Sequence, residues 1–532
     1  MDLYKERSAP MGGPFLYHSS GTKTKKFKQR HHKYDYIRRF TNDMKQVAII
    51  GGGISSLSAA CYLASQGFQV DVYEKNSTVG GRARQYKEAG FTFDIGPTWY
   101  WMPDIFENFF GDFNKKPSDY YQLDKLDPAY KVFFSEQDSI SIPGTAQEII
   151  QVFESREKGA GRKLEKLLRS AAYNYEIAMK EFVFKPGRSP LELVSFKTLP
   201  KAGLFLTSIS QLSARSFKDP QLRQIINFPV LFLGAKPSDT PAFYSFMNHA
   251  DFTMGTWYAK GGMYSFIEGL ESLAKELGVR IHTDAPVEQI SVKGKRATGI
   301  KTAGEWMTAD LVVSGADYHH TETLLQPSFR TYSEKYWEKR TFAPSALMFF
   351  LGVDKKMQNV DHHTLFFDES FDKHAVSIYD KPEWPEAPLF YGSISSVTDP
   401  TVAPEGKEAV TFLIPLAPGL EDSEEIRQHY FQKIMDRFEK LTKQNIRDHI
   451  SVNKSYSVKD FTEDYNSYKG NAYGLANILK QTAFLRPKMK SKKVEGLYFT
   501  GQLTVPGPGV PPSLISGNIV SQMILKDQAK KS

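Results

Sequence analysis

A cluster of glycines and one glutamate near the N-terminus carry the clearest chemical signal in the sequence. Gly51, Gly52 and Gly53 follow a short β-branched run, and Glu74 lies 23 positions after Gly51. Glycines at such a turn let backbone N–H groups approach phosphates at a helix N-terminus, and a carboxylate at this distance accepts hydrogen bonds from ribose hydroxyls. The pattern predicts a dinucleotide site. The alternative is an ordinary loop between a strand and a helix.

The segments around these residues are the elements that such a site needs. Val47 to Ile50 is predicted to be a strand, Leu57 to Gln66 a helix of small residues, and Phe68 to Tyr73 a second strand that places Glu74 at its carboxyl end. Ser56 occupies the position at which this pattern usually has its third glycine. Because serine is small, we expect it to widen the contact between helix and strand only slightly.

A second loop indicates which dinucleotide is bound. Gly80, Gly81 and Arg82 follow Glu74 closely, and the segment Phe93 to Pro97 comes next. Flavoproteins wrap a loop of this kind around the FAD pyrophosphate, whereas enzymes that bind only a nicotinamide cofactor have no use for it. The sequence therefore predicts FAD. The alternative is a surface turn followed by a hairpin.

The C-terminal region contains a long stretch without charge, residues 496–525, which is interrupted by prolines and glycines. We interpret it as a buried loop and helix rather than a membrane span. Leu497 to Phe499 is predicted to be a strand, and Pro511 and Pro512 favour the first turn of a helix that runs toward Leu525. The N-terminus of that helix would stabilise negative charge on a reduced flavin. A proline-rich loop that closes the domain is the alternative.

Four motifs together resemble the phytoene desaturases of the bacterial carotenoid type, a branch of the amine-oxidase-like FAD flavoproteins. They are GGGISS, GGRAR, FDIGPTWYWMP and GLYFTGQLTVPGPGVPPSLISG, and the resemblance extends from about Met44 to about Lys526. It implies an α/β fold with a discontinuous, Rossmann-like FAD-binding domain and an inserted mixed α+β substrate domain. It also implies an enzyme that removes hydride and proton from C–C bonds of phytoene, stepwise toward neurosporene and lycopene.

The motifs and the resemblance together assign candidate residues. The expected FAD contacts are Gly51, Gly53, Ser56, Glu74, Lys75, Gly81, Arg82, Val287, Gly501, Gln502 and Pro512. Arg486 is a candidate for lining the flavin face, no residue is identified as the base that takes the proton, and no metal is expected. The expected FAD-binding segments are 44–130, 256–318 and 486–532, and the substrate segments are 131–255 and 319–485.

The substrate segments are rich in aromatic residues, including Phe228, Phe232, Phe243, Tyr244, Phe246, Phe349 and Phe350. A hydrocarbon has no polar group that the protein could hydrogen-bond, so we expect a long apolar tunnel that binds it by shape. The segment Glu181 to Lys218 mixes basic and apolar residues, which is typical of a membrane-surface segment, although a solvated helix would also fit. We therefore expect a cytoplasmic protein that is peripherally attached to the inner face of a membrane, with quinone or oxygen as electron acceptor.

Charge, cysteine and histidine usage restrict the remaining possibilities. Of the net charge of +8, residues 1–43 contribute +6, and we expect them to form a disordered, dispensable extension rather than a nucleic-acid-binding surface. Cys61 is the only cysteine, which excludes an intramolecular disulfide. The twelve histidines are scattered or adjacent, and we interpret them as surface residues or satisfied core residues.

Other functions stay open at this point. Within the enzymes, a diapophytoene desaturase, a hydroxycarotenoid desaturase or a retinol-type oxidoreductase would fit the same motifs. An amine oxidase is less favoured, because its pocket must accommodate an ammonium group and the final segment has no acidic residue. Outside the enzymes, the same fold serves as a flavin-free binding protein for prenylated GTPases.

Overall fold

The computed structural model describes residues 44–189, 192 and 203–530, and the described residues from Lys45 onward belong to one structural unit. The strands, numbered along the chain, are β1 Gln46–Ile50, β2 Gln69–Tyr73, β3 Gln85–Glu88, β4 Phe91–Asp94, β5 Leu123–Lys125, β6 Tyr130–Phe133, β7 Ser139–Ile142, β8 Trp257–Ala259, β9 Arg280–His282, β10 Val287–Lys293, β11 Arg296–Thr302, β12 Glu305–Thr308, β13 Leu311–Ser314, β14 Ser345–Val353, β15 His363–Phe366, β16 Phe390–Ser393, β17 Glu408–Leu416, β18 Ile450–Tyr456 and β19 Leu497–Phe499. The α-helices are α1 Ile54–Ala64, α2 Pro103–Gly111, α3 Ala146–Arg156, α4 Ala160–Ile177, α5 Gly203–Leu206, α6 Ile209–Ser216, α7 Pro220–Asn227, α8 Phe246–Phe252, α9 Tyr264–Glu276, α10 Tyr318–Thr323, α11 Glu334–Glu338, α12 Phe371–Tyr379, α13 Glu424–Thr442, α14 Val458–Tyr465 and α15 Val510–Ala529.

A parallel sheet of five strands positions the glycines and Glu74. The strand order is β19, β13, β1, β2, β9, and each neighbouring pair is parallel. The order reverses at β1, because the chain passes to β2 on one side and later returns to β13 on the other. Open parallel sheets bind ligands beyond the carboxyl ends of their strands at such a reversal. The glycine turn after β1 lies at that point.

Small residues let two helices pack closely beside this sheet. Ser58 on α1 donates a hydrogen bond from Oγ to the carbonyl of Leu514 on α15, at 2.8 Å. A Cβ added at Gly517 on α15 would lie 2.5 Å from Ser58 Oγ and 2.7 Å from the Ala59 nitrogen. Only glycine permits this approach. The C-terminal helix is thereby held against the helix that follows the glycine turn.

A second sheet forms the opposite wall of the site. Its strand order is β18, β14, β17, β16, β15, β6, β7. Because side chains alternate between the two faces of a strand, Phe349 and Phe412 point to one face, where they pack in a core with Phe438 of α13. On the other face Leu413 of β17 is paired with Met348 of β14 and with Tyr391 of β16.

The remaining elements complete the walls around these two sheets. Helices α3, α4 and α8 pack against one another. Three smaller sheets are formed by β10, β11 and β12, by β3 and β4, and by β5 and β8. Within the residues that the structure describes, no helix combines the length and the apolar character needed to cross a bilayer.

The architecture confirms the expected α/β class with a parallel, discontinuous nucleotide-binding sheet. Helix α1 begins at Ile54, three residues before the predicted start at Leu57, because its N-cap is already Gly53. The domain boundaries stay predictions. The N-terminal extension, residues 1–43, lies outside the described residues, as does most of 190–202 within the predicted membrane-surface segment.

Candidate functional site

One continuous cavity of about 670 Å³ lies between the carboxyl ends of the five-stranded sheet and the inner face of the seven-stranded sheet. Its first part, which we call the nucleotide slot, is lined by residues that include Gly51, Gly53, Glu74, Lys75, Gly81, Arg82, Val287, Ala316, Asp317, Gly501 and Gln502. Its second part, which we call the apolar chamber, is lined by Thr98, Trp99, Trp101, Phe228, Leu231, Met247, Leu365, Phe367, Phe371, His374, Ile378, Tyr379, Leu389, Tyr391, Leu413 and Pro415.

The N-terminus of α1 opens into the nucleotide slot. Gly51 has a φ of +86°, and its N–H donates to the Tyr73 carbonyl at 2.8 Å, which fixes the turn between β1 and α1. Gly53 is the N-cap, and no side chain among the described residues caps the helix there. A Cβ built on Gly53 would meet no atom within 4 Å. The first turn of α1 therefore offers free N–H groups and partial positive charge to a phosphate.

Glu74 is held in place by the same turn. Its Oε2 accepts a hydrogen bond from the Gly52 N–H at 2.6 Å, and its Oε1 accepts from the Asn76 N–H at 2.9 Å. A Cβ at Gly52 would lie 3.3 Å from Oε2 and 2.9 Å from Val79, so a larger residue would disturb this contact. Oε1 also accepts a hydrogen bond from Asn76 Nδ2 at 2.9 Å, so the remaining acceptor capacity lies on Oε2, which suits a ribose hydroxyl.

The second glycine loop closes over the first. A Cβ at Gly81, whose φ is +56°, would lie 3.2 Å from the Cα of Gly53. Arg82 follows, and its guanidinium donates to Ser467 Oγ at 3.0 Å and to the Asn471 carbonyl at 3.1 Å. Burial lowers the pKa of Arg82, partly offset by the carboxylate of Asp317. The Nε of Arg82 has no partner among the described residues.

The C-terminal segment completes the slot. Gly501 has a φ of +99°, and its N–H donates to Ser516 Oγ at 2.9 Å. With its amide oxygen turned toward Arg82, Gln502 accepts a hydrogen bond from that guanidinium at 3.1 Å. Pro511 and Pro512 lie in the first turn of α15 and line the cavity, as the sequence predicts. Both chain ends therefore contribute backbone to a cradle that fits FAD.

Ten of the eleven predicted FAD contacts line the cavity, and Ser56 does not. Ser56 is completely buried on α1. A Cβ at Gly315 would lie 2.1 Å from its Oγ. The absence of a side chain at Gly315, directly after β13, therefore leaves room for the Ser56 hydroxyl, and the expected slight widening between helix and strand stays a prediction. The contact roles of the ten lining residues stay predictions.

Arg486 is not among the residues that line the cavity. Its side chain is buried, and its guanidinium donates to the carbonyls of Gln502 at 3.1 Å and Leu475 at 2.9 Å and to Asn477 Oδ1. Burial lowers the pKa of Arg486 to about 10. Arg486 therefore stabilises the Gln502 loop from the side away from the cavity. Its side chain supports the nucleotide slot but does not line it.

Several polar groups in the cavity walls were not predicted from the sequence. Asp317 lines the slot and accepts the His319 N–H at 3.0 Å as the N-cap of α10. His374 lines the chamber, where its Nε2 donates to the Pro415 carbonyl at 2.8 Å and its Nδ1 accepts from the Leu389 N–H at 3.0 Å. The interpretation of the histidines as satisfied residues is right for His374. It is wrong for His362 and His363, which are buried with Nε2 atoms that have no partner among the described residues.

Comparisons with known proteins identify the relatives of this chain. The sequence pattern of the flavin containing amine oxidoreductases matches residues 54–525. A carotenoid 3,4-desaturase of Haloarcula japonica is 42% identical over 490 residues, which cover 91% of this chain and 99% of that protein. A 4,4'-diapophytoene desaturase (4,4'-diaponeurosporene-forming) of Staphylococcus aureus is 32% identical over 499 residues, with 91% and 99% covered.

Solved structures share the fold at low identity. An oxidoreductase from Methanosarcina mazei superposes with a TM-score of 0.59 at 16% identity, and covers 90% of this chain and 100% of its own. A putrescine oxidase bound to putrescine superposes with a TM-score of 0.58 at 14% identity, and covers 91% and 99%. These likenesses support the fold class alone.

The family match and the slot geometry agree. The prediction of a flavin-dependent oxidoreductase with FAD as cofactor is confirmed by the family match, and the resemblance stated from the motifs is confirmed by both desaturase relatives. The flavin-free alternative does not fit this match. The chain belongs to the flavin containing amine oxidoreductase family and, within it, to the carotenoid desaturases.

Proposed function

We propose that this protein is an FAD-dependent desaturase of acyclic carotenoids. The observation that carries the proposal is the continuity of the cavity: the glycine-lined nucleotide slot leads without interruption into the apolar chamber. A long polyene in the chamber would therefore lie beside the cofactor. When bound, FAD accepts the hydride that such a dehydrogenation releases.

The walls of the chamber suit a hydrocarbon. Trp99 stacks on His363 at 4.0 Å between ring centroids, and Phe228 packs against Trp99 at 5.4 Å, so the aromatic wall is rigid. Such a wall binds a polyene through dispersion contacts and excludes water. Among the described lining residues, the carboxylates Glu74, Asp317 and Asp464 belong to the slot or its rim, and none belongs to the chamber. A cationic polyene formed during the reaction would meet no carboxylate that could capture it.

Two substrates are proposed as candidates. Phytoene, converted stepwise toward neurosporene and lycopene, stays the substrate that the motifs favour. The greater identity to the carotenoid 3,4-desaturase than to the 4,4'-diapophytoene desaturase supports a second candidate, desaturation at the 3,4 position of an acyclic carotenoid that is already conjugated.

We also propose that the protein works at the inner face of a membrane, with quinone or oxygen as electron acceptor. Support comes from the described part of the segment 181–218. Leu206 is 88% exposed, while its neighbour Phe205 stacks on Phe243 at 4.7 Å. Arg215 and Lys218 bring positive charge to the same segment. Flotation with anionic liposomes tests the attachment, and Leu206→Asp should abolish it while the exposed-site control Val376→Asp should not.

Anaerobic mixing of the yellow holoprotein with separate polyenes tests the reaction. We expect the flavin absorbance near 450 nm to bleach with phytoene or with a more conjugated acyclic carotenoid, and the polyene spectrum to shift to longer wavelength. Leu365→Trp should fill the chamber and stop bleaching while FAD stays bound, whereas Val376→Trp, at an exposed position, should leave the reaction unchanged. If no acyclic polyene bleaches the wild-type flavin, the proposal is wrong.

A further inference from the structure

The apolar chamber contains one chain of hydrogen bonds that leads from its surface to a buried base. The Tyr391 hydroxyl lies 2.8 Å from Thr98 Oγ1 and 2.6 Å from His363 Nδ1. Thr98 and Tyr391 line the chamber, whereas His363 is completely buried behind them. Thr98 can donate to Tyr391, which then donates to His363 Nδ1, so each of the two hydrogen bonds has one donor and one acceptor.

The sheet register explains why these side chains meet. Tyr391 on β16 pairs with Leu365 on β15, and His363 precedes Leu365 by two residues on the same strand. Residues two apart share a face, so His363 is the diagonal neighbour of Tyr391 on the face that borders the cavity. Trp99 covers the imidazole ring from the chamber side by stacking. Two elements, the strand pair and the segment 97–102, therefore hold the chain of hydrogen bonds.

One ring nitrogen of the His363 imidazole is not used in the hydrogen bonding of the fold. His363 Nε2 has no hydrogen-bond partner among the described residues, although buried polar atoms are normally paired. Burial lowers the pKa of His363 well below its usual value, so the ring is neutral before a reaction begins. The groups that face it are Trp99, Tyr391 and His362, whose own pKa burial lowers to about 3, with Asp399 next to His362. Among the residues that the structure describes, no charged side chain therefore faces His363 directly.

The other polar groups of the chamber are unsuited to accept a proton. Both nitrogens of His374 are engaged by backbone groups. Lys236, at the cavity rim, is ion-paired with Asp380 at 2.7 Å. Tyr379 and Tyr473 contact the cavity, but no base lies within hydrogen-bond distance of either phenol in the described part of the chain. Tyr391 is thus the hydroxyl of the chamber that is connected to a base.

We propose that Tyr391 is the catalytic residue that takes the substrate proton, and that His363 accepts the Tyr391 hydroxyl proton through Nδ1. One C–H bond of the polyene would break so that its hydrogen leaves with both bonding electrons as a hydride, for which bound FAD would supply the acceptor. The adjacent C–H bond then breaks, its electron pair forms the new C=C bond, and its proton goes to the Tyr391 oxygen as the former hydroxyl proton moves to His363. The proton returns by the same route when product leaves and water enters the chamber.

A weak base suffices for this step. A C–H bond next to a polyene cation is a far stronger acid than an imidazolium ion, so the low pKa of His363 does not prevent the transfer. A neutral relay also brings no anion into contact with the cation. This inference rests on the proposed desaturase function, because it requires a substrate that loses both a hydride and a proton.

Three variants test the relay. Tyr391→Phe removes the hydroxyl, and His363→Asn places an amide near the position of Nδ1, which can hold the Tyr391 hydrogen bond but cannot take the proton. Tyr258→Phe is the matched control, since Tyr258 is also a tyrosine in the protein interior, lies next to His362 and donates a hydrogen bond to Asp399 at 3.1 Å, but is not part of the cavity lining. We expect bleaching by substrate to slow on the order of 100-fold in the first two variants and less than threefold in the control. FAD and polyene dissociation constants should stay within threefold of wild type in all three.

A second measurement needs no substrate. In protein labelled with ¹⁵N-histidine and examined without FAD, we expect one neutral imidazole at pH 7 whose Nδ1 resonance shifts in Tyr391→Phe and not in Tyr258→Phe. The relay is overturned if this ring is an imidazolium at pH 7, or if Tyr391→Phe bleaches at the wild-type rate. It is also overturned if the variants bind the polyene more weakly but bleach at the wild-type rate once the polyene is bound. Failure of wild-type protein to bleach with any polyene would refute the desaturase function instead, which keeps the two results distinguishable.

Discussion

Gly96 should tolerate no side chain, because it packs directly against the backbone of the second glycine loop at Arg82 and Ala83. A Cβ added there would lie 1.9 Å from the Arg82 carbonyl oxygen and 2.9 Å from the Arg82 carbonyl carbon. These are backbone atoms, so no rotamer change relieves the overlap. The φ angle of Gly96 is not in the left-handed region, so the effect of Gly96→Ala is purely steric.

The expected size of the effect follows from this geometry. Cβ contacts below 3.0 Å are essentially never seen, so the Arg82 loop must move by about 1 Å. Forcing one extra carbon into a packed site costs about 1 to 3 kcal/mol, and backbone overlap places this site at the upper end, at about 3 kcal/mol. The same movement displaces Gly81 and Arg82 from the slot. We therefore expect FAD to bind at least tenfold more weakly.

Gly111→Ala provides a matched control in the same protein. Gly111 ends α2, and a Cβ there would meet no atom within 4 Å. Alanine is the better helix former, so this substitution should stabilise by up to about 1 kcal/mol. Urea unfolding midpoints at saturating FAD, together with titration of flavin fluorescence, measure both effects. Equal midpoints for the two variants would refute the steric reasoning.

Three further predictions concern buried ionisable side chains. Glu74→Gln should weaken FAD binding on the order of 10- to 100-fold in equilibrium dialysis, because a charged acceptor is lost, whereas Glu88→Gln at an exposed position should have no effect; equal affinities would show that Glu74 does not bind the cofactor. Burial raises the pKa of Asp251 to about 8, so the native state retains a proton that the unfolded chain releases above about pH 4, and stability should fall as pH rises from 4 to 8; Asp251→Asn should flatten this dependence in urea titrations, and parallel curves would contradict it. Arg486→Lys should lower FAD retention and the unfolding temperature, because a single ammonium nitrogen cannot reach the three acceptors that the guanidinium meets from two separate nitrogens, but should leave the pH dependence of turnover by the retained holoprotein unchanged; a shifted pH profile would contradict a purely supporting role.

The nucleotide slot could be predicted from sequence because its signals are local. The strand, the glycine turn, the helix and the terminal Glu74 follow one another within about 25 residues, and each residue type has a backbone reason for its place. The start of α1 at Ile54 was not predicted, since Ile54, Ser55 and Ser56 are not strong helix formers.

The apolar chamber was not predictable in detail, because long-range pairing assembles it. Tyr391 reaches Thr98 across 293 positions of sequence, and this contact depends on the register between β15, β16 and β17. A shift of one residue in that register would turn Tyr391 to the opposite face. The adjacent histidines His362 and His363 were visible in the sequence, but nothing local indicates that they are buried.

The order in which the five-stranded sheet is assembled has a consequence for protein synthesis. Its outer strand β19 and the helix α15 that packs on α1 lie more than 400 residues after the glycine turn near residue 50, although they complete the same site. A nascent polypeptide in which α15 is still inside the ribosomal exit tunnel therefore lacks one side of its cradle. Retention of the yellow chromophore thus reports that synthesis has passed α15, and chains terminated before β19 should remain colourless.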